Sequence, residues 1–400
     1  MSPTQALYQW TDRVQQLFPL LKPHHARDLA QYSFGAVLAH SCGLTAVAAY
    51  LAGLLCCSFH TVRGRLRELY QPASVQRGGA RSVFDHTVCF GPLLRWAASG
   101  QKDKRLLLAL DPTCHLDRFR VLAISVLYQG GGLPVAWAVQ KSDEKGSWND
   151  IWKDLLGRLH AALGEGWTVL VLTDRGLESS ALFRAIVHLG WHPLMRVKAG
   201  GKFKPAGWHQ SYRMKNFASG VGRRWGGVGV AYPTGEKLSC TLLACWETGH
   251  QEGWLILTDL PPCAANPAWY AWRMWIESGF KVIKSGCWQW QHTRMEDAAR
   301  AARLWAVLAV ATLWMVEIGG EAEPLVLPKI PRCHGPRSQA EPAKPTKGRR
   351  ERLVKAGMRL LLLALMKGTE LPQGRLIEQP DWPPRDGMLD DLHEDSMDQC

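Results

Sequence analysis

Arg105-Leu106-Leu107-Leu108-Ala109-Leu110-Asp111 marks the point where the chain changes character. Five apolar residues in a row, closing on an acid, read as a strand buried on both faces; a half-wet strand would alternate. Downstream, residues 121–128 and 133–140 form two further strand-like runs around the turn Gly130-Gly131-Gly132. The pattern then predicts a helix over 149–163, a strand over 168–173 that ends in Asp174, a helix over 179–189 and a strand over 193–198. Three strands in a meander followed by alternating helix and strand imply an α/β fold with a mixed sheet. Residues 200–262 break the rhythm with glycines and aromatics, and short runs at 228–231, 238–246 and 254–260 read as a β-rich insertion. Helix is predicted again over 267–284 and 296–318.

Upstream, residues 1–100 read as a helical region. An apolar helix over 45–55, a turn at Cys57-Ser58 and the basic stretch His60-Thr61-Val62-Arg63-Gly64-Arg65-Leu66-Arg67 fit a helix-turn-helix-like segment. Arg63, Arg65 and Arg67 are its candidate DNA contacts, although any packed helical pair with one basic face would look alike. The domain reading is therefore 1–100 helical and DNA-binding, 101–320 catalytic, and 321–400 a Pro- and Lys/Arg-rich linker, a helix over 350–366 and a disordered acidic tail.

Charge sharpens the division. The whole chain carries +13, while residues 377–400 hold eight acids against one base, so residues 1–376 carry about +20. A body this basic suits a polyanion, because each phosphate contact releases counterions. The eleven cysteines contain no C-x-x-C pair, which argues against a zinc site or a disulfide framework and for reduced thiols. Residues 31–62 lack any Asp, Glu, Lys or Arg and are long enough to span a bilayer. The interruption His40-Ser41-Cys42-Gly43 favours two buried helices joined at Gly43. Neither a membrane segment nor a signal peptide is expected, and the expected location is cytoplasmic and nucleoid-associated.

Asp111 and Asp174 each follow an apolar strand, where an uncompensated charge is costly to desolvate. Singly, either acid is more often a turn or cap residue; together they can share a hard divalent cation. The predicted helix over 267–284 adds a third acid. Tyr270, Arg273, Glu277, Lys281 and Lys284 recur at helical steps on one face, and Trp269, Trp272, Ile276, Phe280 and Ile283 form the apolar stripe expected to meet the sheet. A solvated face with an Arg273–Glu277 ion pair would explain those charges by itself.

Taken together, these residues resemble a bacterial insertion-sequence transposase of the DDE class, and within it the insertion-sequence-4 group. That group carries the signature Y-x2-R-x3-E-x6-K, which Tyr270, Arg273, Glu277 and Lys284 match without a gap. Leu110-Asp111-Pro112-Thr113 and Thr173-Asp174-Arg175-Gly176 are similar to its two aspartate blocks. The resemblance implies a ribonuclease H-like core in which Asp111, Asp174 and Glu277 are catalytic and hold two Mg2+ ions, with Mn2+ as a substitute. It implies cut-and-paste transposition of double-stranded DNA by a homodimer, acting on terminal inverted repeats and on target DNA. Tyr270, Arg273, Lys281 and Lys284 would meet phosphates, and Arg175, Arg196 and Lys198 are further candidate DNA contacts. The group often releases its ends through a DNA hairpin, with a base stacked on an aromatic residue. Trp208, Trp225, Trp246 and Trp254 are candidates for that role, and core packing is the competing role for each. A metal-dependent nuclease without strand transfer and a silent DNA-binding regulator are the alternative functions.

Overall fold

The computed structural model describes residues 1–76, 82–144, 146–320, 326–327, 349–350 and 352–378. Most of the linker read over 321–349, and the acidic tail from residue 379, lie outside the described residues.

Five helices come first: α1 (Pro3–Leu17), α2 (Pro23–Ala39), α3 (Leu44–Leu55), α4 (Phe59–Glu68) and α5 (Phe90–Ala98). Ser2 caps α1 through a reciprocal pair of bonds with Gln5, and Pro3 and Pro23 occupy first turns where a missing N–H is harmless. The uncharged stretch folds as α2 and α3, bent by 101° at a break where His40 takes the left-handed conformation. Gly35 lets Val47 and Leu51 of α3 approach α2, since any Cβ there would meet both side chains.

The sheet begins with β1 (Arg105–His115), β2 (Phe119–Tyr128) and β3 (Gly131–Lys141), followed by α6 (Asn149–Leu163), β4 (Thr168–Thr173), α7 (Ser180–His188) and β5 (His192–Arg196). β1 pairs antiparallel with β2 and parallel with β4, and β4 pairs parallel with β5. Residues 200–262 contribute β6 (Lys202–Pro205), β7 (Tyr212–Arg213), β8 (Arg224–Ala231), β9 (Leu238–Cys245) and β10 (Trp254–Thr258). These strands extend the same sheet, through β10 on β5, into ten strands in the order β3-β2-β1-β4-β5-β10-β9-β8-β6-β7. The strand expected over 193–198 is thus an interior strand, and Arg196 on it pairs with Ile256.

Three more helices complete the described chain: α8 (Trp275–Lys281), α9 (Ala298–Gly320) and α10 (Leu353–Lys367). A two-stranded pairing of β11 (Val326–Leu327) with β12 (Arg349–Arg350) lies between the last two. α9 is long and apolar enough to cross a membrane, but 94% of its most apolar window is buried inside the protein. Trp10 stacks on Trp314 of α9 at 3.8 Å, Trp137 donates to the Ala302 carbonyl, and Trp288 donates to Thr312 Oγ1. α10 packs along α9 with Gly357 at the crossing, where a Cβ would overlap the Met315 carbonyl. α9 forms the spine of the core, and protein surrounds nearly all of it.

Candidate active site

β1 does not stop at Asp111, contrary to the strand expected from its apolar run. It continues to His115, and what ends there is its parallel neighbour: the last β1–β4 pair is Leu110 with Thr173. Asp111 is the next residue on β1 and Asp174 directly follows β4, so the register of the two adjacent strands sets their carboxylates side by side. Pro112 falls just beyond that pair, paired on one side only, where an absent N–H is tolerated.

The third acid arrives on a segment whose winding differs from the continuous α-helix expected. Pro267–Met274 is wound as 3₁₀ turns, Trp275–Lys281 is α-helical and Val282–Gly286 is a π-turn. In 3₁₀ winding, residues three apart eclipse one another. Tyr270, Arg273 and Ile276 therefore stack in one column facing inward, joined by Gly279 and Phe280, and all five are buried. Trp269 and Trp272, expected on the buried stripe, form a half-buried column with Trp275 instead. Gly279 brings the helix onto β3, since a Cβ there would overlap the carbonyl oxygen of Gly132.

Arg273 is the centre of the resulting cluster. Its Nη2 lies 3.0 Å from Asp111 and 3.9 Å from Asp174, and its Nη1 lies 3.5 Å from Glu277. Side-chain exposure rises from 13% for Asp111 through 39% for Asp174 to 50% for Glu277, so the cluster opens to solvent on the Glu277 side. Three carboxylates face one guanidinium, an excess of two negative charges. Burial pushes Asp111 up to about 6, with the attraction of Arg273 opposing and the charges of Asp174 and Glu277 reinforcing the shift. Among the described residues no group of three or more His, Cys, Asp or Glu side chains stands ready to hold a metal ion. The donor chemistry nevertheless fits a hard divalent cation: three oxygen ligands, under-neutralised and partly dry.

Tyr270 donates to the carbonyl of Thr173, tying the helix to the end of β4. Burial pushes its phenol well above the ordinary range, which keeps the proton available. Lys284 is half-buried beyond α8; burial lowers its pKa, while the nearby Cys114 and Asp111 oppose that shift. Lys281 is exposed. Arg175 and Arg196 converge on one acid that the sequence did not single out: Arg175 Nη1 reaches both oxygens of Glu252 at 2.9 and 3.1 Å, and Arg196 Nη2 reaches it at 2.6 Å. The positive charge of Arg196 nearby opposes the rise of the Tyr270 pKa. Lys198 is exposed, and its backbone N–H donates to Glu178. Arg63, Arg65 and Arg67 lie on α4, which Val62 and Leu66 anchor, with Arg67 exposed. Of the four tryptophans singled out, Trp254 stands edge-on to Tyr270 with ring centres 5.5 Å apart. Trp225 packs on Phe203 and Phe217, Trp246 donates to the His250 carbonyl, and Trp208 meets Tyr212.

A mixed sheet in the order β3-β2-β1-β4-β5, with acids on β1 and just after β4, fits the ribonuclease H-like class. The model of the transposase DDE domain family matches residues 111–314, just over half of the chain, and the chain belongs to that family. Among solved structures it is similar to a piggyBac transposase in a cryo-EM synaptic complex with hairpin DNA. That match has 8% sequence identity and a TM-score of 0.37, and covers 77% of this chain and 73% of the other. No curated protein matches the chain.

Proposed function

We propose that this DDE-family protein is an active transposase of the insertion-sequence-4 group, which cleaves double-stranded DNA at element ends and joins the freed ends to target DNA. The observation that carries the reading is the convergence of Asp111, Asp174 and Glu277 on a single cation. These three would hold the divalent ions, Mg2+ or Mn2+, which supply Lewis-acid activation of the attacking oxygen and charge stabilisation of the leaving one.

The chain's own residues do the rest. Arg273 and Lys284 face a phosphate with a planar fork and a point charge respectively. Tyr270, protonated and fixed on Thr173, sets the position of the helix that carries Glu277. Arg175, Arg196, Lys198 and Lys281 follow the DNA backbone. Residues 1–100, with Arg63, Arg65 and Arg67 on α4, bind the element end, the 101–320 region does the chemistry, and two copies pair two ends.

The test incubates purified protein with labelled DNA carrying candidate ends, in Mg2+ and in EDTA, beside a Glu277→Gln variant. Metal-dependent cleavage with joined products, lost in the variant, is the expected result. Cleavage without joining would identify a nuclease. Tight binding without cleavage in Mg2+ would identify a DNA-binding regulator and remove the assigned chemistry.

A further inference from the structure

Arg273 is an unusual residue to find among three acids that would bind cations. Its side chain is only 11% exposed, yet among its contacts only that to Asp111 is at hydrogen-bonding distance, while Glu277 and Asp174 stand off at 3.5 and 3.9 Å. Its Nε is buried and without a hydrogen-bond partner. A guanidinium built in for structure usually satisfies its fork with two parallel bonds to one carboxylate. Here the fork is spread over three acids and saturates none of them. It sits where a cation shared by the three carboxylates would sit.

We propose that Arg273 is an internal counter-ion: in the DNA-free chain it occupies the place of the divalent cations, and it withdraws from the carboxylates as those cations enter. The inference rests on the reading of Asp111, Asp174 and Glu277 as metal ligands. It adds that metal binding is a competition within the site, so that the free protein takes up metal weakly. The segment suits such a movement. The 3₁₀ turns that carry Arg273 pass into α-helix within two residues, and the side chain that leaves Asp111 can swing toward the solvent-open Glu277 side. A DNA phosphate arriving there gives the displaced guanidinium a new bidentate partner, which couples metal uptake to DNA binding.

The test measures Mn2+ affinity of the full chain without DNA, from the electron paramagnetic resonance signal of free Mn2+. Arg273→Gln is expected to bind Mn2+ about tenfold or more tightly than the native chain, since a competing charge within about 4 Å is gone. Arg273→Lys, which retains a cation but cannot span three acids, should fall between them and serves if the glutamine variant does not fold. Lys281→Gln removes one positive charge from an exposed position at the end of α8 and should change the affinity less than twofold. Equal or weaker binding by both Arg273 variants would overturn the inference while leaving the carboxylates as ligands. If Asp111→Asn, added to Arg273→Gln, leaves the gain intact, the ions sit elsewhere and the metal reading of the three acids falls with the inference.

Discussion

Replacing Asp111 by Asn should make the metal-free protein more stable while removing its activity. Burial, opposed by Arg273 and reinforced by Asp174 and Glu277, holds the Asp111 carboxyl at about 6, against 3.8 for an ordinary aspartate. The folded chain therefore keeps a proton that the unfolded chain releases, and the sign follows. Below about pH 4 both states are protonated and Asp111 has no net effect. Between about pH 4 and 6 only the unfolded state ionises, so folding weakens as pH rises. Above about pH 6 both are ionised and the deficit is complete. A shift of roughly two units at ~1.4 kcal/mol each bounds that deficit near 3 kcal/mol. Asparagine imitates the protonated acid and still accepts from Arg273, so the variant should gain about 1–3 kcal/mol at pH 8. The gain should shrink toward zero near pH 4. Urea denaturation in EDTA across that range measures it. A variant less stable than the native chain at pH 8 would refute the reasoning, because the Arg273 ion pair would then outweigh the desolvation of Asp111.

Three further outcomes follow from contacts made, or left unmade, elsewhere in the fold. Gly279→Ala places a methyl group on the backbone oxygen of Gly132, so stability should fall by about 2–3 kcal/mol and DNA cleavage should fall with it, as Glu277 is carried away from the strand ends. Gly64→Ala on α4, where a Cβ meets nothing within 4 Å, should instead stabilise by up to ~1 kcal/mol; calorimetric melts of the two variants check the pair. Glu252→Gln releases Arg175 and Arg196, and DNA affinity at low salt should rise about three- to tenfold with a steeper salt dependence. Fluorescence anisotropy that shows no change would place both arginines off the DNA path.

What was legible in the sequence was whatever depends on near neighbours. The apolar runs at 106–110 and 168–173 disclosed two buried strands, and the four signature residues disclosed a helical segment. Two features were hidden for physical reasons. Residues 111–115 lack the continuous apolar run of 106–110, because there β1 keeps β2 but has lost β4, so the pattern no longer reports a doubly buried strand. Periodicity analysis assumes 3.6 residues per turn, and across 267–274 the chain turns every three. That difference moved Tyr270 and Arg273 inward and left Trp269 and Trp272 half-buried. Glu252 had no local signal at all: its partners lie 77 and 56 residues away. Only the assembled sheet, with β10 laid on β5, brings it to them.

The same arrangement explains where the protein's stability has to come from. An acid near 6 on an interior strand and a guanidinium with an unpaired Nε each disfavour the folded state. Neither could persist if the surrounding structure were free to relax. The strand bearing Asp111 and the strand that ends just before Asp174 are fixed by continuous pairing to neighbours, and Glu277 by a backbone-to-backbone contact that admits no side chain. Behind them α9 is buried along nearly its whole length and locked by Trp10, Trp137 and Trp288. The core thus offsets what the site costs, and a site held open and under-neutralised in this way is one that a divalent cation and a phosphate can complete.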